Sequence, residues 1–148
     1  MNESLPEPRA FRYCDIAVDD QVEREYVISP EVSGHFLAAF GDYSPIHVDD
    51  AYARACDFPR RVAHGAILNG FLSHFVGMYF PGRPGLLLSV DIRFAQPCHE
   101  GDTVLLKAVV AQKLDARSVI VIDLLFNNVT QNRIAARGRA QVMLREEP

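Results

Sequence analysis

The sequence predicts an α+β protein in which an antiparallel sheet wraps around a central buried helix. Three observations lead there. Residues 65–80, GAILNGFLSHFVGMYF, are apolar nearly all round: besides the glycines, only Asn69, Ser73 and His74 are polar. A helix of that character needs burial. Residues 86–145 read almost wholly as strands separated by short polar turns, and strands so joined pair antiparallel, because parallel neighbours need long crossovers. Finally, the 148 residues are 49% hydrophobic, enough for one core: a chain of this length buries roughly 70% of its unfolded surface. An apolar helix and a sheet with alternating faces bury one another. One domain over residues 1–148 is expected.

Each element has its own signal. DQVEREYVIS (residues 20–29) alternates weakly, with Val22, Tyr26 and Ile28 on one face, and suits a strand. A helix follows. Ser29 is its N-cap and Pro30 occupies the first helical position, where a missing N–H costs nothing. Val32, Phe36 and Phe40 recur every fourth residue, and Gly41 is the C-terminal stop. Ser44-Pro45 then favours a turn, since Pro45 biases Ser44 away from helical angles. AYARACDF (residues 51–58) offers another helical turn or two. The 65–80 helix is ended by PGRPG. Strands are expected over 86–97, 102–114, 118–130 and 133–145. In the first of these Leu88, Val90, Ile92 and Phe94 face one way and Ser89, Asp91 and Arg93 the other. The exposed sheet edge makes dimerisation through strand pairing an expectation.

Composition excludes several classes. A net charge of −4 and a pI of about 5.7 argue against nucleic-acid binding, which needs clustered positive charge. No apolar run approaches the ~20 residues that span a bilayer, so no membrane partner is expected. Cys14, Cys56 and Cys98 are widely spaced and odd in number, as suits reduced thiols rather than a disulfide framework. The N-terminal MNESLPEPRAF has no apolar signal core. A soluble cytoplasmic protein is expected. The five histidines show no spacing such as H-E-x-x-H, and there is no phosphate loop, dinucleotide fingerprint or G-x-S-x-G nucleophile. Neither metal nor cofactor is expected.

Two stretches carry chemistry. In FGDYSPIHVDD (Phe40–Asp50), Asp42 and His47 flank the bend at Pro45. A carboxylate and a neutral imidazole around one water form a general acid–base unit. The same spacing also fits an acid that caps a turn beside a surface histidine, and spacing alone leaves both readings open. The second stretch is RRVAHGAIL (residues 60–68). Gly65 opens the central helix, where the first N–H groups lack intrahelical partners and can polarise a carbonyl. Glycine there lets a ligand approach closely. His64 is either a ligand contact or a hydrogen-bonded structural histidine. Arg60 and Arg61, near the same entrance, either bind a phosphate or are solvated.

Together these stretches resemble the MaoC-like, or (R)-specific enoyl-CoA hydratase, family of hot dog folds. The family pattern G-D-x-N-P-x-H, with Ala or Ser six residues later, appears as Gly41-Asp42-Tyr43-Ser44-Pro45-Ile46-His47 with Ala53. Val62-Ala63-His64-Gly65 matches its motif at the start of the central helix, and Pro81-Gly82 the motif after it. Phe94, Pro97, Gly101 and Asp102 match F-x-x-P-x-x-x-G-D. The resemblance runs from about Asp15 to Leu144. It departs at Ser44, where the family carries Asn, and at Phe40 and Ala66.

The resemblance implies a single hot dog domain that adds water to a trans-2-enoyl thioester, giving an (R)-3-hydroxyacyl thioester, or the reverse. Asp42 and His47 would activate the water and the Gly65 N–H would polarise the thioester carbonyl. Ser44, His64, Arg60 and Arg61 would contact a substrate carried by coenzyme A or acyl carrier protein. A homodimer is implied as well. Two alternatives stand beside this. One is a hot dog thioesterase. Many of those use a carboxylate on the central helix, and residues 65–80 contain none. The other is a non-catalytic acyl-CoA-binding protein, for which Ser44 is the clue.

Overall fold

The computed structural model describes residues 5–145. Residues 1–4 and 146–148, the ends of the expected domain, lie outside the described residues. Five strands form one sheet: β1 (Gln21–Val27), β2 (Gly85–Phe94), β3 (Thr103–Leu114), β4 (Val119–Asn128) and β5 (Arg133–Leu144). Four α-helices precede β2: α1 (Pro30–Phe40), α2 (Pro45–Val48), α3 (Asp50–Ala55) and α4 (Ala66–Met78).

The caps of α1 form as the sequence predicts. Ser29 is extended and its hydroxyl accepts from the Val32 N–H at 3.3 Å. Gly41 closes the helix at φ 67°, and its N–H bonds the Leu37 carbonyl. This left-handed conformation costs glycine nothing.

The sheet order is β1-β3-β4-β5-β2, with every neighbouring pair antiparallel. β3, β4 and β5 form the expected meander. β2 does not pair with its successor β3, both of whose edges are taken by β1 and β4. It crosses to the far side and pairs with β5, with a register shift between Leu87 and Ser89. Gly138 makes this pairing possible, because a Cβ there would lie 2.3 Å from the Asp91 carbonyl oxygen. β2 ends at Phe94 rather than at 97, and residues 95–102 form the crossover.

The core lies between α4 and the inner sheet face. Ile67, Leu68, Phe71, Leu72, Phe75 and Val76 of α4 are buried against alternate residues of β3, β4 and β5, among them Leu106, Val110, Ile122 and Phe126. Each such side chain gains about 1.5–3 kcal/mol on leaving water. α4 is not enclosed on every side, as its composition suggested. Ala66, Asn69, Gly70, Ser73 and His74 form an exposed stripe, because one curled sheet covers only one side of one helix. No helix among the described residues is long and apolar enough to cross a membrane.

Candidate active site

Asp42 follows the Gly41 helix stop. Pro45 holds Ser44 extended (φ −52°, ψ 132°), and the Ser44 N–H donates to Asp42 Oδ1 at 3.2 Å. The expected simple turn is instead one turn of helix, α2, which carries His47. The His47 N–H bonds the Ser44 carbonyl at 2.8 Å. Asp49 then caps α3, accepting from the N–H groups of Ala51 and Tyr52. The GDYSPIH stretch is therefore a helix stop, a side-chain-closed turn and a new helix start in immediate succession.

The segment before α4 runs alongside as a strap. The Val62 N–H bonds the Ile46 carbonyl at 3.0 Å, and the Val62 carbonyl accepts from His47 Nδ1 at 2.7 Å. A carbonyl can only accept, so Nδ1 carries the proton and neutral His47 presents a lone pair at Nε2. That nitrogen lies 4.0 Å from Asp42 Oδ2. The gap is too long for a direct hydrogen bond and suits one bridging water. His64, 6% exposed, donates from Nε2 to the Asp42 carbonyl at 2.9 Å. Its ring stacks on His47 with centroids 3.9 Å apart and packs on Phe36 at 4.5 Å. His64 thus fixes both the Asp42 backbone and the His47 ring plane.

Gly65 stands at the mouth of α4. Hydrogen bonding of the first turn begins with the Ile67 N–H to the His64 carbonyl and the Leu68 N–H to the Gly65 carbonyl, so the Gly65 and Ala66 amides precede it. His47, His64, Gly65, Phe94, Gln96 and Cys98 line a cavity of about 360 Å³. On the other side of the helix start, a mainly apolar groove of about 660 Å³ lies between α1 and α4, lined by Phe36, Phe40, Ala66 and Phe71 among others.

The structure brings Asp42, His47 and His64 together, and His47 and His64 share one cavity with Gly65. Ser44 contributes its backbone N–H. The two arginines engage carboxylates: Arg60 Nη2 lies 3.6 Å from Oδ1 of the buried Asp102, and Arg61 Nε lies 3.5 Å from Asp50. Asp42, His47 and His64 also place three metal-ligating atoms within 4.8 Å of one another. His64 Nε2 donates its proton to a carbonyl, however, which leaves a carboxylate and one imidazole. His74 stands apart, hydrogen-bonded to the Tyr26 hydroxyl at 3.1 Å. Partial loss of water around this largely exposed ring and the Arg24 charge hold its pKa below the ordinary histidine value.

Two features of the site were not read from the sequence as parts of it, although Phe94 and Asp102 belong to a quoted motif. Phe94, at the end of β2, closes over Gly65. A buried network centred on Asp102 and His99 supports the strap from behind. Asp102 is signalled by the G-D pair at Gly101-Asp102, whereas nothing near His99 in the chain marks its partner.

The chain is 32% identical over 114 residues to the 3-hydroxybutyryl-CoA dehydratase of Methylorubrum extorquens, covering 76% of this chain and 72% of that protein. It is 33% identical over 69 residues to the (R)-specific enoyl-CoA hydratase of Aeromonas caviae, covering 47% of this chain and about half, 52%, of that relative. Its fold matches the unliganded R-hydratase PhaJ1 of Pseudomonas aeruginosa with a TM-score of 0.83 at 27% identity, over 91% of this chain and 86% of that one. Residues 16–131, most of the sheet and all the groups just described around Gly65, match the family model described as MaoC like domain. The chain belongs to the MaoC-like family.

Proposed function

We propose that the protein is an acyl-thioester hydratase that adds water to a trans-2-enoyl-CoA to give the (R)-3-hydroxyacyl-CoA, or runs the reverse dehydration. One observation carries this reading: the Asp42 carboxylate faces a His47 Nε2 lone pair at 4.0 Å, and His47 lines the same cavity as Gly65. A water in that gap donates one hydrogen to Oδ2 and the other to Nε2. As its oxygen bonds C3 of the enoyl group, the dyad takes one of its protons and passes that proton to C2, while the other stays on the new C3 hydroxyl. The negative charge developing on the thioester oxygen meets the Gly65 N–H, where the helix dipole helps. Donor pairing, burial and stacking of His64 make it a positioning group in this reading. Ser44, beside Asp42, and Arg60 and Arg61, at the start of the strap, are the proposed substrate contacts, and a phosphate would have to compete with Asp102 and Asp50 for the arginines.

The thioesterase reading gains nothing from α4, which offers no carboxylate between Ala66 and Met78. The test is to incubate the protein with crotonyl-CoA and with an octenoyl-CoA, following enoyl absorbance and free thiol together. Hydration lowers the absorbance and releases no thiol. Thiol release would move the protein to the thioesterases, and an inert protein that binds acyl-CoA would be the binding module.

We further propose a homodimer formed through β2. That strand is a free edge, with Leu86, Leu88, Val90 and Phe94 between 40% and 55% exposed. Three free cysteines suit a reducing compartment, and we place the protein in the cytoplasm.

A further inference from the structure

We infer that His99 is a positioning residue for His47, acting through the backbone of the strap at residues 61–63. His99 is 2% exposed, and its Nδ1–H donates to the Arg61 carbonyl at 2.7 Å. Two residues on, the Ala63 N–H bonds the Cys98 carbonyl at 2.8 Å. These bonds grip the strap on both sides of Val62, from the face opposite α2. The Val62 carbonyl between them is the group that accepts from His47 Nδ1. Its place therefore depends on the two bonds that hold its neighbours.

The grip is itself anchored. Asp102 is fully buried, and its Oδ2 accepts from the His99 N–H at 2.8 Å, from Asn128 Nδ2 at 2.8 Å and from Gln131 Nε2. Asn128 is the last residue of β4, so a continuous set of bonds runs from the rigid sheet through Asp102 and His99 to the strap and then to the imidazole. A buried network in which one side chain supports the next is costly to break, because each freed group stays out of water. The other nitrogen of His99, Nε2, has no partner among the described residues. Its role in the network therefore rests on the Nδ1 bond.

The consequence is specific. Without the His99 donor the Arg61 carbonyl loses its partner, the strap loosens, and the Val62 carbonyl no longer fixes the Nδ1–H tautomer of His47. A catalytic group misplaced by about 1 Å can lose on the order of 10²-fold in rate. Substrate binding is touched less, since His99 lies behind the strap.

The test uses the full chain and two variants. His99→Leu removes the donor, and His99→Asn keeps an N–H at the same δ position. The first readout is nitrogen NMR of the His47 ring in the neutral form, which needs no substrate. The parent and His99→Asn should show one tautomer, protonated at Nδ1, while His99→Leu should show a mixture. The second readout is hydration kinetics, which rests on the hydratase reading. There kcat of His99→Leu should fall about 10–100-fold with KM within about two-fold, and His99→Asn should recover most of it. A folded leucine variant with the parent tautomer and kcat overturns the inference. If the leucine variant does not fold, His99→Asn decides alone, because a folded asparagine variant with a mixed tautomer contradicts it. If the parent hydrates nothing, the hydratase reading fails while the NMR comparison still decides this one.

Discussion

What glycine offers at position 65 is space rather than a special backbone angle. Its φ of −58° and ψ of −33° are ordinary helical values that any residue adopts. A Cβ there would meet Phe94 Cε1 and Cζ at 3.2 Å, and Phe94 is 55% exposed and free to swing aside. Gly65→Val should therefore fold normally while its side chain fills the place where, in the proposed reaction, the thioester carbonyl meets the amide. Losing one such donor costs ~10²–10³ in turnover, so thermal melts should match the parent and kcat should fall by about that factor. Ser44 makes a contrasting case. Its hydrogen bond to Asp42 comes from the backbone N–H, which alanine retains. Ser44→Ala should leave stability within about 0.5 kcal/mol by urea titration and should leave Asp42 oriented.

At the scale of elements, what the sequence reveals depends on how local the cause is. The α1 caps, Ser29 and Gly41, were legible because their partners lie three or four residues away. The placing of β2 was not, because it depends on a glycine at 138 in another strand. Likewise Asp42 and His47, five residues apart, could be offered as a pair, which spacing alone left open and the family resemblance favoured, while the His99 partner, the Arg61 carbonyl, lies 38 residues away. The apolar content of α4 announced a core but not which side of the helix would stay open. Two outcomes follow from that core. Leu72 is fully buried on α4, so Leu72→Ala should cost about 2–5 kcal/mol, read from the shift of a urea midpoint. Burial also pushes the Cys98 thiol up, whereas Cys14 and Cys56 are exposed. Alkylation of the native protein followed by mass spectrometry should mark Cys14 and Cys56 quickly and Cys98 only on unfolding. Three equally fast thiols would contradict the burial of Cys98.

For the whole molecule, a curled sheet on one side of α4 leaves the β2 edge and the open helix stripe to be covered, and a second copy is the proposed cover. Light scattering at micromolar concentration should give twice the 16.5 kDa chain mass. A monomer would leave Leu86, Leu88 and Val90 without a role. The site asks less of the assembly, since Asp42, His47, His64 and Gly65 all come from one chain. The most direct measurement is steady-state hydration of crotonyl-CoA by four folded proteins: the parent, Asp42→Asn, His47→Gln and the double variant. If the two groups share one water, each single change should cost ~10²–10⁴ and the double change little more than the worse single one, as for groups that act as a unit. Folded single variants that hydrate at the parent rate, or two losses that simply multiply, would contradict a shared water between Asp42 and His47.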